Sequence, residues 1–475
     1  MFNDNILTLT DSYKPTHWKQ YPKGTSKVYS YLESRGGKFD NTMLYGLQYF
    51  IKKYLTGKVV TLEKITKAHK FYDAHLGPGH FNLEGWMHIL EKHDGRLPVR
   101  IKAVPEGSSV KTSNVLVTVE NTDPEVPWLT NYLESILLQV WYPTTVGTLS
   151  REIKKIFVSY LKKTTSYDSD GIKNIVSFML HDFGFRGASS VESSAIGCSA
   201  HIINFLGTDT VPGILLAQEY YNSDDMLAFS IPASEHSTIT SWTEPLEVKA
   251  FENMLDQYPT GLVACVSDSF DIIRACKDYW GTALRDKILS RDGRLVIRPD
   301  SGDPRQTLKQ IFHILWDKFG GTINDKGFKV IDPHVRVIQG DGVNYESIVD
   351  ILDMMVEEGF SVENIAFGMG GALLQKVDRD TQKFAFKCSS ITINGEEIDI
   401  RKNPIEINEN GERVASFKRS KAGRLKLVYN NGNWETIEHS HDEIGDELVE
   451  VFLDGYLKKE WTFEEIRERA QVDFV

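Results

Sequence analysis

A chain of 475 residues, 41% apolar and 25% charged, is long enough for two or three domains and a sizeable core. Its formal net charge of -12 excludes the broad basic face that general nucleic-acid binding requires, so any phosphate-rich ligand must meet locally clustered cations. No apolar run approaches membrane-spanning length, the first residues lack a signal-peptide pattern, and Cys198, Cys265, Cys276 and Cys388 lie far apart without a CxxC pair; a cytoplasmic, reducing compartment is expected.

In chain order, residues 28–33 alternate like a strand and 44–55 carry helical spacing. Residues 99–119 hold two or three short strands with turns at 105–107 and 112–114, and 128–142 read as a mostly apolar helix. From about 150 to 380 the pattern changes. Short β-rich runs at 175–180, 228–231, 262–266, 294–297, 335–338 and 364–367 alternate with helical segments at 194–205, 246–255, 272–285, 304–319, 345–358 and 372–377. Asp303-Pro304 is a helix start, an N-cap acceptor followed by a proline in the first turn. From about 383 strands return at 384–388, 390–393, 425–429 and 448–452, and a helix comes after them at 462–470. The alternation predicts a parallel sheet or closed β/α barrel over 151–382, with a β-rich region from both chain ends, 1–150 and 383–475.

The most informative residues are those just past each barrel strand. The strand ends carry HDFGFR (181–186), SEHS (234–237), SDS (267–269), RPDSGD (298–303), QGDG (339–342) and GMGG (368–371). One polar turn after a strand is ordinary. Six with chargeable or glycine-rich content place a binding site at the barrel mouth, where strand C-terminal ends converge.

Each cluster supports a definite chemistry and has a blander alternative. Gly370-Gly371 lets backbone N–H groups approach a phosphate, helped by a helix N-terminus at Ala372; alone it is a tight turn. Asp341, between Gly340 and Gly342, is an acceptor suited to ribose hydroxyls, or simply part of a turn. Arg298, held at a strand end before Pro299, suits a diphosphate, and Asp300 can face magnesium or a sugar hydroxyl; an internal Arg–Asp pair fits equally. Phe183 and Arg186 combine an aromatic plane with a guanidinium, which can stack a flat ring and hold a phosphate; the blander alternative, a core aromatic with a surface arginine, is the commoner outcome for one such motif. His236, beside Glu235, is an acid–base, nucleophile or ligand candidate in a chain of 13 histidines.

The segments at 11–17, 21–31, 45–49, 102–107, 120–125, 181–187, 207–211, 234–240, 267–272, 297–304, 337–343, 363–371 and 418–425 together resemble the nicotinamide phosphoribosyltransferase family, in order and over nearly the whole chain. That resemblance implies a type II phosphoribosyltransferase fold: α/β, an irregular β/α barrel plus an α+β sandwich built by both chain ends. It implies transfer of the phosphoribosyl group of 5-phosphoribosyl 1-pyrophosphate to nicotinamide in NAD salvage, with nicotinate phosphoribosyltransferase as the alternative. Magnesium is the implied cofactor, ATP a co-substrate or activator, and the implied assembly a homodimer with active sites at the subunit interface. No nucleic-acid or membrane partner is expected.

Carried over by position, the resemblance makes Phe183 one face of a nicotinamide sandwich and Tyr13 of a partner subunit the other, with Asp11 in support. Asp209 is the acceptor for the carboxamide N–H; it repels the carboxylate of nicotinate. Arg186 and Arg298 become phosphate and diphosphate contacts, and Asp268 and Asp300 orient ribose hydroxyls and magnesium. Asp341, Gly340, Gly370, Gly371 and Arg379 belong to the 5′-phosphate and ribose end. Arg35, Lys387, Lys402, Lys418 and Arg419 meet pyrophosphate or ATP phosphates, and His236 is the histidine that ATP phosphorylates. The chain departs from the family in a shortened loop after Arg35 and extra sequence at 405–417. Phe185 and Met369 stand where other members often have Tyr and Ser. An aldolase-like barrel is disfavoured by the lack of a strand-end Schiff-base lysine, and a non-catalytic scaffold by the intact Arg298, Asp300, Asp268 and His236.

Overall fold

The computed structural model describes residues 4–408, 411–415 and 420–474. The chain divides into two compact units. One comprises Met1–Thr148, Glu219–Ser223 and Asp378–Ala470; the other comprises Leu149–Gln218, Asp224–Val377 and Gln471–Val475.

The first unit is built on a seven-stranded antiparallel sheet. Its strands run Glu396–Asp399, Phe384–Ile393, Thr25–Ser34, Val115–Asn121, Val99–Ala103, Val449–Leu453 and Tyr456–Leu457 across the sheet. Thr25–Ser34 lies between a neighbour from the early chain and one from the late chain, so both ends of the sequence share this sheet. Val115–Asn121 is buried at every position, which marks a strand covered on both faces. The two short strands expected at 384–388 and 390–393 are one strand with a register irregularity opposite Tyr29 and Ser30. The helix expected over 128–142 is broken into Leu129–Tyr132, Glu134–Leu137 and a 3-10 turn before a 24-residue helix begins at Trp141. Apolar periodicity alone does not register such breaks. Two further helices, Leu62–Leu76 and Leu83–Lys92, are started by Thr61 and Asn82, whose side chains accept from Lys64 N and Gly85 N.

The second unit holds six parallel strands, numbered in chain order: β1 Leu180–Asp182, β2 Gly207–Thr208, β3 Thr260–Val266, β4 Asp292–Arg298, β5 Val335–Gln339 and β6 Ile365–Met369. Their order across the sheet is β2-β1-β6-β5-β4-β3, every pair parallel. The run at 228–231 forms no regular strand, yet it closes the ring. Phe229 bridges Gly207 on one sheet edge, and Ala233 bridges Ala264 on the other. The strand expected over 175–180 is not formed: Ser169–Val176 is a helix and the strand starts at Leu180. Asp168 caps that helix by accepting from Gly171 N, and Ile172 and Val176 bury one face, so a local cap and a helical stripe override β-branched composition. The helix Pro304–Phe319 begins as predicted, with Asp303 accepting from Gln306 N, and buries Leu308, Ile311, Phe312, Leu315 and Phe319 at helical spacing.

Candidate active site

The strand ends bring the expected residues together at one mouth of the second unit. Arg298 is the last residue of β4, and its Nε and Nη2 donate to Asp300 Oδ1 at 3.1 and 2.8 Å. Asp268, just past β3, is almost wholly buried. Its Oδ2 accepts from Asp300 N at 3.1 Å and its Oδ1 lies 3.0 Å from His236 Nε2. His236 opens the short helix His236–Thr240 and keeps half its side chain exposed. The acid thus orients the imidazole from behind while the ring edge meets solvent.

Phe183 lies just past β1, its N–H donating to Met369 O at 3.0 Å. Its ring packs directly against Gly368 of β6: a β-carbon there would stand 1.9 Å from Phe183 Cε2. The Arg298 guanidinium sits 5.4 Å from the centre of the same ring. Asp209, past β2, is exposed and accepts from Ser230 Oγ at 2.5 Å. Asp182 is fully buried below it. One Asp182 oxygen accepts from Gly184 N at 2.7 Å, the other from Thr208 Oγ1 at 3.1 Å, and its carbonyl accepts from Asp209 N at 3.0 Å. Burial raises the Asp182 carboxyl pKa and lowers that of the neighbouring His181 imidazole, so His181 is held neutral beside Asp209.

Two cavities share Phe183, Asp209, Ala233, Ser234 and Arg298 as walls. One, of about 680 Å³, opens over the strand ends and is lined by Arg186, Glu235, Asp300, Gly340, Asp341, Gly370, Gly371 and Lys376. The other, of about 530 Å³, descends the barrel past Ile231, Ala264, Val296, Ile338 and Ala366 toward Arg294, Arg336 and Glu363. Alanines at 233, 264 and 366 leave open an interior that larger side chains fill in an ordinary barrel. Nothing in the hydropathy pattern announces this channel, and Ser230 and Lys376 carry no sequence signal that singles them out. The helix expected after Gly371 spans only Gly371–Leu374, so free N–H groups, not a helix dipole, are what this turn offers an anion. The thiols of Cys265 and Cys276 are pushed up to about 12 by burial and offer no nucleophile.

The remaining expected residues lie in the first unit. Tyr13 stands well exposed beside His17, and the Asp11 carboxylate accepts from Ser135 Oγ. Arg35 Nε donates to Glu33 Oε1 at 2.7 Å while its buried Nη2 has no hydrogen-bond partner among the described residues. Lys387 has its pKa lowered by burial; Glu134 opposes this, and the nearby cations Arg35, Lys402 and Arg379 add to it. Glu33 is ion-paired with both Arg35 and Lys421. Lys418 and Arg419 lie outside the described residues.

The donor set bears on the implied magnesium. Asp300 Oδ2 has no protein partner among the described residues, whereas Asp268 has both oxygens engaged. Among those residues no cluster of three donors close enough to cage an ion lies at the strand ends. One or two carboxylates without a cage fit an octahedral ion that keeps water and substrate phosphates as its other ligands.

A ring of parallel strands with an arginine, paired acids, a half-buried aromatic and glycine turns at its mouth is the frame of a type II phosphoribosyltransferase. Comparison with known proteins makes the class specific. Residues 178–433 match the nicotinate phosphoribosyltransferase (NAPRTase) family, and residues 5–101 match the nicotinamide phosphoribosyltransferase N-terminal domain. A nicotinamide phosphoribosyltransferase of Xanthomonas campestris pv. campestris is 47% identical over 476 residues, covering 98% of both chains. That of Acinetobacter baylyi is 32% identical over 507 residues, covering 98% of this chain and 97% of its own. The chain belongs to the nicotinate/nicotinamide phosphoribosyltransferase family and is an enzyme of that type. Two solved structures share the fold. The nicotinate-nucleotide pyrophosphorylase of Pyrococcus furiosus has a TM-score of 0.58 at 16% identity, over 99% of this chain and 96% of that one. Human nicotinic acid phosphoribosyltransferase has a TM-score of 0.54 at 15% identity, over 97% and 92%. Among the described residues no helix is long and apolar enough to cross a membrane.

Proposed function

We propose that this enzyme transfers the phosphoribosyl group of 5-phosphoribosyl 1-pyrophosphate to nicotinamide, giving nicotinamide mononucleotide and pyrophosphate for NAD biosynthesis. The observation that carries the choice of base is Asp209, an exposed carboxylate oriented by Ser230 beside the Phe183 ring. An ionised carboxylate accepts an amide N–H and repels a second carboxylate, which favours nicotinamide over nicotinate. The names of the relatives point the same way.

In this reading nicotinamide stacks on Phe183, with Tyr13 of a partner subunit closing the sandwich in a homodimer. The pyridine nitrogen is already a lone-pair nucleophile and needs no general base. It attacks ribose C1′ as the bond from C1′ to pyrophosphate oxygen breaks, through an oxocarbenium-like state. Asp300 and Asp268 orient ribose hydroxyls and favour the positive charge developing on the sugar; Arg298 and Arg186 hold phosphate oxygens. Asp341 and the free N–H groups at Gly370 and Gly371 take the ribose and 5′-phosphate end, with Arg379 assigned to the same end. The cations Arg35, Lys387 and Lys402 serve pyrophosphate or ATP. Asp300 and Asp268 are the residues that would hold magnesium, which would neutralise charge on the leaving group.

ATP coupling is assigned to His236. Its Nε2–H donates to Asp268, which leaves Nδ1 as the nitrogen with a free lone pair. That nitrogen takes the γ-phosphoryl group as ADP leaves, and the phosphoryl group later passes to water. The test is mononucleotide formation from phosphoribosyl pyrophosphate and magnesium with nicotinamide or nicotinic acid, with and without ATP. Turnover with nicotinamide, raised by ATP, is expected. Preference for nicotinic acid would overturn the reading of Asp209, and no response to ATP would overturn that of His236.

A further inference from the structure

Away from the strand-end site, the first unit gathers two imidazoles on a single carboxylate oxygen. His88 lies on the helix Leu83–Lys92 and His93 is its C-cap residue. Positions five apart on a regular helix point about 140° away from each other. They converge here because the helix stops at His93, whose backbone has left the helical region at φ -115°, ψ 10°. His88 Nε2 lies 2.8 Å and His93 Nε2 2.5 Å from Asp123 Oδ2. The three donor atoms lie within 4.8 Å of one another.

The carboxylate is set in place before either histidine is counted. Asp123 Oδ1 accepts from Glu125 N at 2.8 Å, and the Asp123 carbonyl accepts from Asn121 Nδ2 at 2.7 Å. Asn121 ends the fully buried strand Val115–Asn121, so the acid rests on a rigid element. Both imidazoles remain about a quarter exposed, at 27% and 26%. His88 also lines a cavity of about 640 Å³ whose wall includes Glu84 and Glu125, which leaves room for water and an electronegative approach.

We propose that His88, His93 and Asp123 form a binding site for a divalent transition-metal ion, Zn²⁺ above all, with water from the adjoining cavity as fourth ligand. Two imidazoles and one carboxylate are the nitrogen and oxygen donors such ions take in tetrahedral sites, whereas magnesium avoids imidazole. Ligands about 2.0–2.2 Å from a tetrahedral ion stand roughly 3.4 Å apart, so the two nitrogen–oxygen separations of 2.8 and 2.5 Å need to open by less than about 1 Å. On binding, the two N–H···O bonds are replaced by metal bonds, and each neutral imidazole carries its proton on Nδ1 instead of Nε2. The bound ion clips the end of the Leu83–Lys92 helix to the turn after Val115–Asn121, and its effect is on stability of the first unit.

The experiment uses the full chain stripped with a chelator, titrated with Zn²⁺ against a chromogenic competitor and separately with Co²⁺. The expected result is one tight zinc per chain and the visible absorption of four-coordinate cobalt. Affinity should weaken at least about tenfold in His88→Gln and in His93→Gln. Zinc should raise the melting temperature of the parent and not that of the double variant. His88→Asn serves if the Gln variant misfolds, which the metal-free melting temperature reports. Equal zinc binding by the parent and the double variant, six-coordinate cobalt, or no tight zinc in the parent would each overturn the proposal and leave a hydrogen-bonded triad.

Discussion

Adding one methyl group at Gly368 tests how the base-stacking ring is held. The β-carbon of Gly368→Ala would stand 1.9, 2.1 and 2.8 Å from Phe183 Cε2, Cδ2 and Cζ. Carbon atoms pack at about 3.5–4.0 Å, so the ring must move by roughly 1.5–2 Å. It cannot retreat with its backbone, because Phe183 N is bonded to Met369 O at 3.0 Å on the same strand. Overpacking of this kind costs about 1–3 kcal/mol of stability, and misplacing a positioning group by 1 Å costs about 10²-fold in rate. The assay is kcat/KM for nicotinamide with melting temperature measured in parallel, for Gly368→Ala, Phe183→Ala and the double variant. A loss of about 10²-fold is expected for Gly368→Ala in the parent, and little further loss once Phe183 is already Ala, because the methyl then enters vacated space. Activity within about threefold of the parent, or an equal loss in both backgrounds, would refute the claim that Gly368 acts through the ring.

Asp209→Asn replaces a pure acceptor by a group that also donates, and should narrow the preference for nicotinamide over nicotinic acid by about tenfold or more; competition between the two bases measures it. Ser230→Ala should act in the same direction more weakly, since Ser230 only orients Asp209. His236→Ala should abolish both ATP hydrolysis and its stimulation of synthesis, and survival of either, read as ADP release, would remove the phosphohistidine assignment. Glu247 is fully buried, neither of its carboxylate oxygens has a partner among the described residues, and burial raises its pKa to about 7. Its folded-state pKa is above the unfolded value, so stability is greatest below about pH 4.5 for this group and falls as pH rises toward 7, where the folded state must ionise it. Glu247→Gln should flatten that slope in melting curves taken between pH 5 and pH 8, in about the window its two pKa values bracket. An unchanged slope would mean that the carboxyl is solvated.

Much of the barrel is legible in the sequence because its signals are local. Strand and helix alternate with periods that hydropathy reports, Asp303-Pro304 starts its helix where capping chemistry says it should, and polar residues come after each strand. The residues at those ends, Phe183, Arg186, His236, Asp268, Arg298, Asp300, Asp341, Gly370 and Gly371, do line or adjoin one mouth, since parallel strands put all their C-terminal ends on one side; Asp209 joins them from the short strand Gly207–Thr208, which the pattern did not show, and was named only through the family resemblance. Local signals fail where a tertiary contact decides. The segment from the 228–231 run to Ala233 is an irregular stave because it must reach both sheet edges at once, through Phe229 and Ala233. Residues 169–176 turn helical under a cap that the β-rich composition does not show.

By itself, then, the sequence determined the alternation, the helix start at Asp303-Pro304, the inventory of charged and glycine residues at the strand ends, and the family those segments belong to. Only the tertiary structure decided that Gly368 is empty so that Phe183 can lie on it, that alanines at 233, 264 and 366 face inward and leave a channel, that Ser230 reaches Asp209, and that His88 and His93 meet on Asp123. Each of those depends on atoms brought together by residues from tens to hundreds of positions apart, and a one-dimensional pattern carries no information about what stands opposite a side chain once the sheet has closed.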